Sequence, residues 1–192
     1  MRRLILVKHS APGRNPLTPA REWRLSATGR NLCRLLAHRL APYRPQRIFT
    51  SREPKALETA RLLGQYLGKP VAATEGLEEQ ERSKVGWLEP AALEQKVAAL
   101  FDAPSRRVFG SETADQAHRR FASALNAILE ANKGTVLVVS HGTVISRFVS
   151  RATGLDAFSL WRRLGLPSFV VLSLPELRLK EVVEQVGTSP PT

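Results

Sequence analysis

Two short runs, "LILV" at 4–7 and "VLVV" at 136–139, are apolar at every position. A strand with one face in water alternates apolar and polar residues, so a run with no polar position needs cover on both faces. Helices packed on the two sides of a parallel sheet give that cover. Each run is too short for a helix and reads as a central strand. "RIF" at 47–49 and "VAA" at 71–73 are further strand candidates, and the stretches between carry helical periodicity. Ser26 is placed to cap a helix reaching about Tyr43, with Leu32, Leu35, Leu36 and Leu40 on one face. Pro54 fits the first turn of a helix that runs to about Leu67, before "GKP". Helices follow over roughly 90–101, 112–132 and 143–153, the second of them with Ala117, Phe121, Leu125 and Ile128 inward. The polar stretch 75–86 has no periodicity, and "SFVVLSLPELRLKEVVEQ" reads as an edge hairpin turning at Pro175–Glu176. The pattern predicts a three-layer α/β/α sandwich with a mostly parallel central sheet and an antiparallel edge strand, in one domain over 1–186 with a loose tail at 187–192.

No apolar run approaches the roughly 18 residues that cross a bilayer. The N-terminal "MRRLILVKHS" has two arginines and a four-residue apolar run that ends in Lys8 and His9, which fits a first strand rather than a signal peptide. The single Cys33 sits among leucines of helical period, so we expect a core thiol, no intrachain disulfide and a cytoplasmic protein. The 29 Lys+Arg against 17 Asp+Glu give a formal charge of +12, which favours anionic partners. With 6% aromatics, no zinc spacing and no continuous basic stripe, nucleic acid and membrane are not the expected partners.

In parallel sheets ligands bind beyond the carboxyl ends of the strands. There the first strand delivers Lys8, His9 and Ser10, and the second delivers Thr50 and Ser51 with Lys55 in the next helical turn. The late strand delivers Ser140, His141 and Gly142. Two histidines and two lysines thus converge. Lysines neutralise phosphate oxygens, N–H groups at a helix start add donors, and a neutral imidazole can attack phosphorus in line. The chemistry needs no metal or other cofactor. Zinc ligation fits poorly, because close ligand spacing is missing and the lysines repel a dication.

"VKHS", "TSREPKALETA", "GLEEQER" and "VVSHGTVISR" together resemble the histidine phosphatase superfamily, also called the phosphoglycerate mutase-like family, over nearly the whole chain and in the family's order. The resemblance implies that His9 is the phosphorylated nucleophile and that His141, with Gly142 after it, contacts the transferring phosphoryl group. It implies phosphate-binding roles for Lys8, Lys55 and Asn15, and makes Glu79 the proton donor to the leaving group, with Glu78 as the alternative register. A carboxyl that donates a proton needs a raised pKa. "GSET" at 110–113 resembles a structural segment near the family's site.

The chain departs from the family's pattern at Lys8 and Lys55, which stand where it has arginines, and at Ser10, which stands where it has glycine. A lysine keeps the charge and loses the planar fork that grips two phosphate oxygens. Arg14 or Arg52 could restore an arginine contact, and the Ser10 hydroxyl could donate to phosphate. The expected activity is a metal-independent phosphatase acting on a small phosphorylated substrate through a phosphohistidine. The alternatives are an inactive member that binds phosphorylated ligands or a protein partner, and, less well matched by length, a mutase. Substrate identity and oligomeric state are not encoded in these motifs.

Overall fold

A computed structural model describes residues 2–82 and 84–187. Among these, strands β1 (Arg3–Lys8), β2 (Arg47–Thr50), β3 (Val71–Ala73), β4 (Val136–Ser140), β5 (Ser168–Ser173) and β6 (Arg178–Val183) form one sheet in the order β3-β2-β4-β1-β5-β6. The β3–β2, β2–β4 and β4–β1 pairs are parallel, whereas β1–β5 and β5–β6 are antiparallel. The expected sandwich is present, and its antiparallel edge is the whole β5–β6 hairpin. Of the expected tail, residues 188–192 lie outside the described residues.

The all-apolar strands are buried on both faces, as their composition requires. Leu4, Leu6, Val136, Val138, Val170 and Leu172 point to one side, into a core shared with Phe121, Leu125 and Ile128 of α4 (Ala114–Ala131) and with Ile145 and Phe148 of α5 (Gly142–Thr153). Ile5, Val7, Leu137, Val139, Phe169 and Val171 point to the other. There they meet Leu36 and Leu40 of α1 (Ala27–Leu40) and Ala56, Ala60 and Leu63 of α2 (Pro54–Leu67). Each large apolar side chain so buried stabilises the fold by roughly 1.5–3 kcal/mol. A third cluster joins Val97, Leu100 and Phe101 of α3 (Pro90–Asp102) to Phe109 and Ala157.

Caps set the helix starts. The Ser26 side chain accepts from Gly29 N–H, and Thr113 with Gln116 forms a reciprocal capping box on α4. Two details differ from the sequence reading. Leu35 is exposed, because the buried stripe of α1 runs through Gly29, Cys33, Leu36, Ala37 and Leu40. In addition, Ala157–Arg163 forms a helix, α6, too short for periodicity to reveal and capped by Asp156, whose carboxylate accepts from Ser159 N–H at 2.7 Å.

Helix α1 is fastened to the chain just after β1. Ser26 N–H donates to the Ala11 carbonyl at 3.1 Å, and a Cβ on Gly29 would stand 2.0 Å from that same carbonyl oxygen. Gly29→Ala should therefore push α1 from the 9–11 segment and cost about 1–3 kcal/mol in urea unfolding; unchanged stability would contradict this close approach.

Candidate active site

The parallel register pairs Lys8 with Ser140, and the next residue along β1 continues the ladder, His9 N–H donating to the Ser140 carbonyl at 3.0 Å. His9 and His141 thus emerge side by side, their rings edge to face with centroids 5.2 Å apart. Both are buried. Burial, His141 and the Lys55 charge push His9 well below the ordinary histidine value. Burial and Lys55 do the same to His141, against an opposing pull from Glu79. Both rings are therefore neutral near pH 7.

A hydrogen bond assigns the tautomer of His9. His9 Nδ1 lies 2.8 Å from the Ser10 carbonyl, which can only accept, so Nδ1 carries the proton and Nε2 keeps its lone pair. The Ser51 hydroxyl oxygen accepts from Glu53 N–H at 3.2 Å and lies 2.9 Å from His141 Nε2; a hydroxyl can donate and still accept a second bond, so this contact serves either tautomer of His141. His141 Nδ1 is buried and has no partner.

Lys8 Nζ donates to the Leu164 carbonyl at 2.5 Å, just beyond α6, and lies 6.0 Å from the centre of the Trp161 ring. Gly142 makes room for it, since a Cβ there would stand 3.1 Å from Lys8 Cε. Lys55, buried in the first turn of α2, donates to the Ala20 carbonyl at 2.8 Å and to the Glu53 carboxylate. Glu53 also accepts from Glu79 N–H at 2.9 Å, and it lies 3.6 Å from His141 Nε2. Sequence reasoning passed over this carboxylate, which lies inside a quoted motif but in a stretch with no periodicity to fix its direction.

Glu79 accepts from Gln80 N–H at 2.9 Å, from Thr143 N–H at 3.2 Å and from Arg82 Nη2 at 3.3 Å. Burial raises its pKa, but Arg82 first, then His141 and the two backbone N–H groups, outweigh burial and hold the carboxyl below its ordinary value. The expectation of a raised pKa is thus not met in the free pocket. Glu78 faces elsewhere, bound to Arg52 at 2.9 Å and to Gly76 N–H at 2.8 Å. The loop carrying Glu79 is gathered by Arg120 of α4, which donates to the carbonyls of Gly76, Glu78 and Glu79 and to the Glu112 carboxylate. Glu112 belongs to the "GSET" segment, which is thus a structural prop.

Three expected contacts lie elsewhere. Asn15 is exposed, and its side chain is occupied by its own turn, accepting from Leu17 N–H at 2.9 Å. The Ser10 hydroxyl donates to the Gly29 carbonyl at 2.7 Å instead of facing a ligand. Arg52 is exposed and paired with Glu75 and Glu78, and Arg14 is exposed. Arg82, from the aperiodic loop, reaches the cluster through Glu79, and Arg14 is near enough for its charge to bear on Lys8. Cys33 is buried against Gly29, and burial pushes its thiol up to about 11, as befits a core residue.

The family model of the histidine phosphatase superfamily (branch 1) matches residues 4–181. Mycobacterial glucosyl-3-phosphoglycerate phosphatase with inorganic phosphate is similar at TM-score 0.77 and 22% identity, covering 97% of this chain and 98% of that one. Bacillus stearothermophilus YhfR is similar at TM-score 0.75 and 22% identity, covering 96% of each. Phosphoserine phosphatase from Entamoeba histolytica, in complex with 3-phosphoglyceric acid, is similar at TM-score 0.76 and 18% identity, covering 95% and 97%. No curated protein sequence matches. Among the described residues no helix is long and apolar enough to cross a membrane.

Burial, with Arg82 and Arg14 adding to it against the pull of Glu79, lowers Lys8 from 10.5 to about 8. Below pH 8 the amine is charged in both the folded and the unfolded chain, and the fold bears the full cost of burying the charge. Between about 8 and 10.5 the unfolded chain binds the proton and the folded chain does not, so this group makes stability rise with pH, by at most about 1.4 kcal/mol per unit. The stability gain of Lys8→Met over wild type in urea unfolding should be largest at pH 7 and shrink toward pH 10. A gain independent of pH would contradict a depressed lysine.

Proposed function

The chain belongs to the histidine phosphatase superfamily, and on that premise we propose that it is a metal-independent phosphatase that hydrolyses a small phosphomonoester through a phosphohistidine. The observation that carries this reading is the state of His9. Its ring is neutral, its Nδ1 proton is committed to the Ser10 carbonyl, and its Nε2 lone pair stays available beside His141 and two lysines.

His9 Nε2 attacks phosphorus and the bond to the leaving oxygen breaks, while Lys8, Lys55, His141 Nδ1–H and the N–H groups at the start of α5, Gly142 included, stabilise the phosphoryl oxygens. The departing oxygen takes its proton from Glu79. A phosphoryl dianion brought beside Glu79 raises the carboxyl's pKa by like-charge repulsion, so the substrate itself supplies the condition for protonation. Water then attacks the phosphoryl group on His9, gives its proton back to Glu79, and the P–N bond breaks to release phosphate. The similar phosphatases act on phosphorylated small acids by their names, which supports a substrate of that size. A binding-only protein is the second reading, favoured by the Glu53 carboxylate that already occupies Lys55.

With chelator present and across a panel of phosphomonoesters, wild type should turn over and His9→Ala should lose roughly a thousandfold or more. A quenched reaction should carry acid-labile, base-stable phosphate on His9. Activity of His9→Ala within a few-fold of wild type would refute the mechanism.

Glu79→Gln should slow alkyl phosphates, which need a protonated leaving oxygen, at least tenfold more than an aryl phosphate, which does not. Equal losses on both would remove Glu79 from the acid role.

A further inference from the structure

Donor accounting separates the cations of this pocket. Lys55 spends two of its three N–H groups on the Ala20 carbonyl and the Glu53 carboxylate, and the carboxylate offsets part of its charge. Lys8 spends one on the Leu164 carbonyl and lies over Trp161. Arg82 is arranged differently. Its guanidinium lies over the Phe109 ring, 5.7 Å from the ring centre, with Nη2 in a single long contact of 3.3 Å to Glu79. Nη1 is shut off from solvent and has no hydrogen-bond partner. A buried N–H group of a charged side chain is seldom left unpaired, because it has lost water and gained nothing in return. The pocket holds two further buried polar atoms without partners, His141 Nδ1 and the hydroxyl of Thr143, the residue whose N–H also reaches Glu79. Arg82 is close enough for its charge to lower both Lys8 and His141.

Resting on the phosphatase reading of this site, we infer that Arg82 is the arginine of the phosphate pocket: its free Nη1 edge takes oxygens of the transferring phosphoryl group, supplying from the 75–86 loop the planar fork that Lys8 and Lys55 do not have. Glu79 and Phe109 hold the guanidinium from one side and from below. Because Arg82 also touches Glu79, the test has to separate oxyanion contact from an effect relayed through the acid. Vanadate has no leaving group, and an aryl phosphate needs no proton on its leaving group, so neither depends on Glu79 as an acid.

The experiment titrates wild type, Arg82→Gln, Arg82→Met and Arg82→Lys with vanadate and inorganic phosphate by calorimetry, and measures kcat/KM for an aryl and an alkyl phosphate. Circular dichroism verifies that each variant is folded. Vanadate affinity should fall about tenfold or more in Arg82→Gln and Arg82→Met, with kcat/KM for the aryl phosphate falling up to about a hundredfold. Arg82→Lys should recover part of either loss and not all of it. Vanadate affinity within twofold of wild type, with losses confined to the alkyl phosphate, would make Arg82 only a positioning residue for Glu79 and overturn the inference. Full recovery in Arg82→Lys would overturn the use of a fork. The inference and the reading beneath it fail separately. Turnover indifferent to Arg82 sinks the inference and leaves the phosphatase. Arg82-dependent vanadate binding without any wild-type turnover sinks the phosphatase and leaves the inference. No vanadate binding by folded wild type sinks both.

Discussion

The hydrogen bond from His9 N–H to the Ser140 carbonyl fixes the relation between the two halves of the site. It is the last rung of the β1–β4 ladder, so the spacing of the two imidazoles follows from sheet register rather than from loop conformation. A slip of one residue in that pairing would turn Leu4 and Leu6 toward α1 and α2 and Ile5 and Val7 toward α4 and α5, exchanging the contents of two cores. The hydrophobic packing therefore guards the placement of the two histidines. Burial holds both rings neutral, and it leaves His141 Nδ1 without a partner.

Around the rings, charge is distributed in pairs rather than as a bare cationic bowl. Lys55 sits with Glu53, Arg82 sits with Glu79, and Arg120 binds Glu112 while it holds the carbonyls of the Glu79 loop. Each buried charge needs a partner to be tolerable in the absence of ligand. The result is a pocket whose positive potential is partly masked at rest. Glu53 occupies Lys55 at rest, whereas Nη1 of Arg82 has no hydrogen-bond partner.

Most of the architecture was legible because it rests on patterning. Unbroken apolar strands demand two covered faces, and Pro54, Ser26 and the α4 stripe announce their helices by residue type and spacing. The two histidines were legible for the same reason, each being the residue that follows a central strand. The rest of the site lies where periodicity gives no direction. Glu53, Arg82 and Arg120 read as ordinary surface charges in a basic chain, and only tertiary packing turns them inward. Asn15 differs in the opposite sense: its position matches a motif, but its side-chain oxygen has a local use, accepting from Leu17 N–H in its own turn. Helix α6 was invisible at seven residues, yet it brings Trp161 and the Leu164 carbonyl to Lys8.

The β5–β6 hairpin does more than finish the sheet. Without it β1 would form the rim, its outer row of N–H and C=O groups open to water and to other chains. With β5 buried beside it, β1 lies third from the edge, and β6 carries the rim with exposed Arg178, Lys180 and Glu181 facing solvent. Charged side chains of this kind discourage edge-to-edge association between molecules. For the strand that leads into His9, amide exchange then requires opening of the central sheet rather than fraying at a margin. The placement of the imidazole is as durable as the fold as a whole, and the wear of thermal fluctuation falls on a strand that carries no chemistry.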